Sequence, residues 1–259
     1  VRSRRQRQMC IRDRFSLDTA ACIMTSMFTV LNIVNHGTEE QVAAHIPDYM
    51  RGKQKFAISI SEPQSGSDAA AARTKAELID GEWVLNGNKV WCSGAHLPDT
   101  TIVLLARTSA ERYAGLSLFL VPNTAPGLQI KKMDTIVRKS LGTTEFFLED
   151  VRLPASALLG EVGSGWTYIG EHLELERLSI AASQLGNART ALNDTIKYTC
   201  DREAFGKRLA DFQVLRHRMA EDATKIEAAR WMVYAAASKI SRGERALKEV
   251  AMAKVFCAD

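Results

Sequence analysis

Between Phe56 and Leu153 apolar side chains recur at about every second position, whereas on either side they recur every three or four. A period of two lines one face of a strand and a period of 3.6 lines one face of a helix, so the chain must set a sheet between helical segments. At the front, Ile23, Met27, Val30, Leu31 and Val34 mark a helix over 15–36 closed by His36-Gly37. Thr38-Glu39-Glu40 then caps a second helix running to about Met50. Strands follow at Phe56–Ile60, Thr101–Arg107, Leu116–Val121, Leu128–Met133 and Glu145–Leu153, punctuated by Pro122, Pro126-Gly127 and Pro154. Asn86-Gly87, flanked by Trp83-Val84-Leu85 and Val90-Trp91, reads as a type I′ hairpin turn. After Gly165 the helical period returns over Trp166–Thr199 and Ala210–Ser241, and a third helix begins near Glu244. Phe212, Met219, Ile226, Val233 and Ile240 repeat every seven residues, the spacing of an antiparallel helix seam.

The expected fold class is α+β. It comprises partial N-terminal helices (15–53), a middle antiparallel β-barrel or sandwich domain (54–160) and a partial C-terminal antiparallel helix bundle (161–259). No helices alternate with the strands, which argues against a Rossmann fold, and no GxGxxG occurs, so a flavin would be held in some other way.

A formal net charge of +4 suggests nucleic acid as a partner, but its distribution argues against one. Residues 1–14 hold six Arg and one Asp, leaving 28 Lys+Arg against 29 Asp+Glu in the rest. The segment 1–14 has no periodicity and few apolar residues, so it reads as a disordered or artefactual tail. Cys10, Cys22, Cys92, Cys200 and Cys257 show no CxxC or paired spacing, which argues against a zinc site or a disulfide framework. No metal ligands are expected, and no apolar run approaches the ~20 residues of a membrane span.

Two stretches carry the candidate chemistry. Ile58–Asp68, ISISEPQSGSD, ends a strand at Pro63 and continues as a Gly-centred loop with hydroxyls and a carboxylate. Alone, such a loop is ordinarily a polar turn, and a Trp at a strand end is ordinarily a core residue. On the helix Trp166–Thr199, Ile169, Leu173, Glu176 and Ile180 step by four, three and four, which sets a carboxylate on an apolar stripe, with Glu171 and Glu174 off it and solvated. Desolvation raises such a carboxyl towards the range of a general base. Pattern alone leaves a buried structural salt bridge equally open.

ISISEPQSGSD followed by Trp91-Cys92-Ser93 resembles the flavin-contacting signatures of the acyl-CoA dehydrogenase family, and the resemblance extends over most of residues 20–259. It implies FAD as cofactor, held by Ile58, Ser59, Ile60 and Ser61, with Ser61 on the pyrimidine edge. The Trp91 ring would lie on the isoalloxazine and Ser93 would bond near N5, while Cys92 stands where the family has an aliphatic residue. Ser67, Glu174 and Arg177 would contact the acyl-CoA. LELERLSIAA resembles the members whose catalytic Glu lies on this helix, which makes Glu176 the candidate base; most other members place the base on a C-terminal loop that this chain lacks. Asp201–Lys207 with Phe212-Gln213 resembles the family segment in which Arg202, Phe205 and Gln213 would reach a neighbouring subunit's FAD.

The implied reaction is dehydrogenation of an acyl-CoA to a trans-2-enoyl-CoA in fatty-acid or amino-acid catabolism. Electrons would pass to an electron-transfer flavoprotein, and the enzyme would be a homo-oligomer, dimer or tetramer. An acyl-CoA oxidase, a flavin monooxygenase and a non-catalytic scaffold or assembly protein on the same fold are the alternatives. The resemblance further implies a fragment shortened at both ends and inactive as it stands. The compartment would be bacterial cytoplasm, or the mitochondrial matrix in a eukaryote.

Overall fold

The computed structural model describes residues 17–259, with side chains from Cys22 onward. The tail expected at 1–14 lies outside the described residues. Ala21–His172 form one compact unit, and Leu173–Asp259 belong to a second.

The first unit opens with α1 (Leu17–His36) and α2 (Glu39–Met50), close to the bounds expected from periodicity. Met24, Phe28, Val30 and Ile33 are the buried apolar residues of α1. Thr38 caps α2 through a reciprocal box: its hydroxyl accepts from Gln41 N–H at 3.2 Å and Gln41 Oε1 accepts from its own N–H at 3.1 Å. The Gln41 amide then donates to the carbonyls of Ser156 and Leu158, tying α2 to the sheet.

The strands are β1 (Lys55–Ser59), β2 (Lys75–Ile79), β3 (Glu82–Ser93), β4 (Thr100–Arg107), β5 (Leu116–Pro122), β6 (Leu128–Met133), β7 (Thr143–Pro154) and β8 (Leu158–Leu159). They form one sheet in the order β6-β7-β3-β2-β4-β5-β8, with β1 also paired to β4. Among the described residues no pairing joins β6 to β8, so no closed barrel is present. The two ends differ in how they resist further pairing: β8 is only two residues long, and β6 carries Lys131 and Lys132. The expected all-antiparallel sheet is also corrected, because β1 runs parallel to β4 over Lys55–Ser59 with Thr100–Leu104, and β2 meets β4 in parallel at Arg107. The segment between β1 and β4 contains the β2–β3 pair, which supplies the long crossover that parallel neighbours require. Strand β4 is buried on both faces, as is most of β5, so their apolar runs are continuous rather than alternating. Trp83 packs edge-on to Phe119 in the core beside Leu85, Ile102, Leu104, Phe146 and Val151.

The hairpin is not where Asn86-Gly87 suggested. It turns at Asp80-Gly81, both at positive φ (53° and 84°), and β3 runs unbroken through Asn86-Gly87. A register shift against β7 between Leu85 and Gly87 sets Glu149 and Asp150 opposite Asn86, so the bulge lies in β7, with Asp150 at φ 49°. The Asn86 side chain is taken up by Asp150: its amide donates to Asp150 Oδ1 at 2.9 Å and its carbonyl accepts from Asp150 N–H at 2.8 Å. Gly87 sits at φ 150°, and a Cβ there would lie 2.6 Å from Thr74 Oγ1 and 2.7 Å from Thr74 Cα. Gly87→Ala is therefore expected to cost ~1–3 kcal/mol in urea denaturation. A neutral result would mean that β2 and β3 separate freely at this point.

In the second unit the long helix α3 (Gly165–Asp201), which begins in the first, continues into a short hairpin of β9 (Glu203–Ala204) and β10 (Lys207–Arg208). Then come α4 (Gln213–Ser241) and α5 (Leu247–Ala258). Leu178 and Ala181 of α3, Val233 and Ala236 of α4, and Ala246, Val250 and Ala253 share one core. The seven-residue seam is only partly realised. Of its members only Val233 is buried, and Met219 and Ile226 line an open groove with Leu185, Leu192, Leu215 and Phe256. Burial on α4 follows Ala229, Val233 and Ala236 instead, a helical face of small residues. No helix of the described residues is long and apolar enough to cross a membrane.

Candidate functional site

Just past the end of β1, Glu62 is 3% exposed and fully engaged. One oxygen accepts from Arg73 N–H at 2.7 Å and from the Gln64 amide at 2.6 Å. The other accepts from Thr74 N–H at 3.0 Å and from Lys89 Nζ at 2.8 Å. Lys89, in the middle of β3, is completely buried and donates also to the Ile60 carbonyl at 3.1 Å. Burial raises the Glu62 carboxyl, but the Lys89 charge and the converging hydrogen bonds outweigh it and hold the pKa at about 2. The glutamate is thus an anion that fixes both ends of the loop 62–74.

The same contacts set 58–61 alongside 90–92. Val90 N–H donates to the Ser61 carbonyl at 3.1 Å, and the Cys92 thiol donates to the Ile58 carbonyl at 3.3 Å. Burial pushes the Cys92 thiol up to about 12, so it packs as a neutral group. Ser59 is buried, while Ile58, Ile60 and Ser61 are half-buried. Ser67 and Asp68 are exposed, and Asp68 pairs with Arg112 at 2.8 Å.

Trp91 departs from the core position ordinary for a Trp at a strand end. It lies within a second register shift of β3 against β7, between Lys89 and Cys92, at φ 63°, and 61% of its surface is exposed. A bulky aromatic residue at positive φ costs ~1–3 kcal/mol, a strain that accumulates at functional sites. Two residues on, Ser93 Oγ accepts from Arg138 Nη1 at 3.4 Å.

In the second unit, Phe205 repeats that signature, at φ 54° and 94% exposed, in a two-residue turn completed by Gly206. The β9–β10 hairpin holds it out, braced by Leu209 N–H on the Arg202 carbonyl at 2.9 Å. Arg202 and Gln213 are exposed, and Phe205 meets Phe212 edge to face.

On α3, Ile169 is buried and Leu173, Glu176 and Ile180 are half-buried, a face distinct from the core-packed Leu178 and Ala181. Arg177 is exposed. Glu174 is not solvated as its position off the stripe suggested: Oε1 accepts from Ala246 N–H at 2.8 Å, at the start of α5.

The structure therefore brings Ile58–Ser61 together with Trp91–Ser93, and presents Phe205 on a hairpin whose base is Arg202. The sequence reading missed Glu62 and Lys89. The available signal was a lysine within β3 and a glutamate just past β1, opposite charges that the fold pairs.

Residues 57–151 match the family model "Acyl-CoA dehydrogenase, middle domain", and residues 163–259 match "Acyl-CoA dehydrogenase, C-terminal domain". The chain is 35% identical, over 86% of its length, to the caffeyl-CoA reductase–Etf complex subunit CarC of Acetobacterium woodii, spanning 59% of that relative. It is 41% identical, over 75% of its length, to the long-chain specific acyl-CoA dehydrogenase of Rattus norvegicus mitochondria, spanning 46%. Superposed on the crystal structure of an acyl-CoA dehydrogenase from Geobacillus kaustophilus, it gives a TM-score of 0.92 at 30% identity, over 96% of this chain and 67% of that one. The chain thus spans about half the length of the curated relatives it matches. Two domain models matched in order, with the 58–61 strand end and the Trp91 bulge inside the first and Glu176 inside the second, place the chain in the acyl-CoA dehydrogenase family.

Proposed function

We propose that the protein to which this chain belongs is an FAD-dependent oxidoreductase that removes hydrogen from Cα and Cβ of an acyl-CoA to give a trans-2-enoyl-CoA. The observation that carries this reading is Trp91, held at positive φ with its ring in solvent beside Ser93 and the 58–61 strand end. An exposed flat ring, a hydroxyl and converging backbone fit an isoalloxazine, and an exposed aromatic with an arginine at the base of its hairpin, as at Phe205 and Arg202, fits an adenine and a diphosphate. FAD, when bound, supplies the two-electron acceptor for the substrate's β-hydride.

In this reading Trp91 packs on the flavin, Ser93 donates near its N5, and Ile58–Ser61 border its pyrimidine edge. Glu176 takes the α-proton, and Ser67, Glu174 and Arg177 position the thioester. Arg202, Phe205 and Gln213 serve the cofactor of a second copy, which makes a homo-oligomer the working form. The division into 15–53, 54–160 and 161–259 belongs to the same reading. An electron-transfer flavoprotein is the proposed electron acceptor, supported by the Etf complex in the name of the Acetobacterium relative.

Trp91 gives a test with effects of opposite sign. Trp91→Gly relieves the backbone strain and is expected to stabilise the protein by ~1 kcal/mol. It also removes a stacking platform, a contact worth ~1–3 kcal/mol for flat heteroaromatic rings, so FAD affinity should fall about 5- to 150-fold. Unchanged FAD affinity would sink the flavin-stacking role. With FAD bound, anaerobic addition of acyl-CoAs of graded length should bleach the flavin's visible band. Persistence of the band with every acyl-CoA would favour a non-catalytic scaffold.

A further inference from the structure

We propose that His36, Glu171 and His172 form a binding site for a divalent transition-metal ion, with Zn2+ as the best match to the donors. His36 ends α1, while Glu171 and His172 are adjacent on α3. One ligating atom from each lies within 4.8 Å of the others. Among the described residues the His36 and His172 Nε2 atoms are both buried with no hydrogen-bond partner, and His172 is only 8% exposed. Glu171 Oε2 approaches His36 Nε2 to 2.9 Å, but not in hydrogen-bonding geometry. Leaving a buried polar nitrogen unsatisfied is costly, and two of them beside one carboxylate are explained together by a cation that accepts all three lone pairs.

The donor set selects the ion. Two imidazoles and a carboxylate are the ligands of three-coordinate protein zinc sites that leave a fourth position to water, whereas Ca2+ and Mg2+ prefer oxygen alone. Tetrahedral ligand bonds of ~2.0–2.2 Å set donors about 3.3–3.6 Å apart, so the site tightens on binding. Glu171, with half of its side chain exposed, is free to make that movement and leaves the ion a route from solvent. Tyr168 stacks on the His36 ring at 3.8 Å and 16°, and its hydroxyl accepts from Glu161 N–H at 3.2 Å, which fixes the imidazole plane. Burial, aided by His36 and opposed by Glu171, lowers the His172 pKa, which favours the neutral imidazole that ligates. Bound there, the ion would clamp the end of α1 to α3. Residue spacing does not reveal the site, because His36 lies far from the other two and the adjacent Glu-His pair is no metal motif.

The test uses the chelator-stripped chain titrated with Zn2+ and, separately, Co2+. The expected result is uptake of one Zn2+ per chain at micromolar metal, a rise in Tm, and a Co2+ spectrum with ligand-field bands but no thiolate charge-transfer band. The latter separates this site from the chain's cysteines. His36→Gln, His172→Gln and Glu171→Gln should each weaken binding by at least ~10–100-fold, the loss already seen when an outer-shell partner of a metal ligand is removed. Glu171 is exposed enough that its variant folds even if a histidine variant does not. Absence of uptake, a thiolate-dominated Co2+ spectrum, or uptake unchanged in Glu171→Gln would overturn the proposal.

Discussion

Lys89→Ala is expected to destabilise the sheet unit by ~3–5 kcal/mol at pH 7, the cost of stranding one member of a buried ion pair. The side chains of Lys89 and Glu62 are 0% and 1% exposed. Removing the ammonium leaves the carboxylate in place with its three remaining donors, Arg73 N–H, Thr74 N–H and the Gln64 amide, and no countercharge. The Ile60 carbonyl loses its donor as well. Lys89→Met with Glu62→Gln should cost clearly less than Lys89→Ala alone, since no buried charge remains. The pH dependence gives a second signature. Glu62 is depressed from 4.5 to about 2, so its contribution is fully present above pH 4.5 and is lost as pH falls from 4.5 towards 2. In Lys89→Ala that acid-sensitive interval should flatten, because the unpaired carboxylate now gains from protonation. Urea denaturation at pH 7 and across that interval measures both. A cost below about 1 kcal/mol, with the acid sensitivity unchanged, would show that the backbone donors alone sustain the loop.

The two local periods were enough to place the long helices and strands β4 to β7 within a few residues, because hydrophobic repetition is a local property. Asn86-Gly87 shows where local reasoning stops. The dipeptide suits the positive φ of a hairpin turn, and only its register against β7, whose bulge at Glu149-Asp150 faces Asn86, and the proximity of Thr74 to Gly87 show that β3 runs on through it. The parallel pairing of β1 with β4 was likewise illegible, since the partners are some forty residues apart and carry no mutual mark. Among the site residues, Trp91 was found through its neighbours Cys92 and Ser93, but its strained backbone and exposed ring belong to the bulge. Lys89 and Glu62 find each other across 27 residues through the fold alone. The lysine within β3 was therefore the more informative signal, and its meaning depended on a partner that the sequence does not show.

Glu176→Gln is expected to lower turnover with an acyl-CoA by ~10²–10⁴-fold in the FAD-loaded protein, the usual loss when a positioned general base is removed. The substitution keeps the side chain's shape at a half-buried position and removes its proton-accepting charge. The neighbouring carboxylates on α3 have other surroundings: Glu171 lies beside His36 and Glu174 accepts the Ala246 N–H. Glu174→Gln should accordingly lower stability, by ~0.5–1 kcal/mol, through the weakened start of α5. Exchange of the substrate's α-hydrogen with deuterated solvent separates base loss from disturbed hydride transfer: it should slow in Glu176→Gln in step with turnover. Turnover and exchange both within about tenfold of the parent would move the base off α3. Arg177, exposed beside it, would then be left with a binding role only, and the apolar stripe Ile169, Leu173, Ile180 would be a wall of the acyl site without a catalytic group.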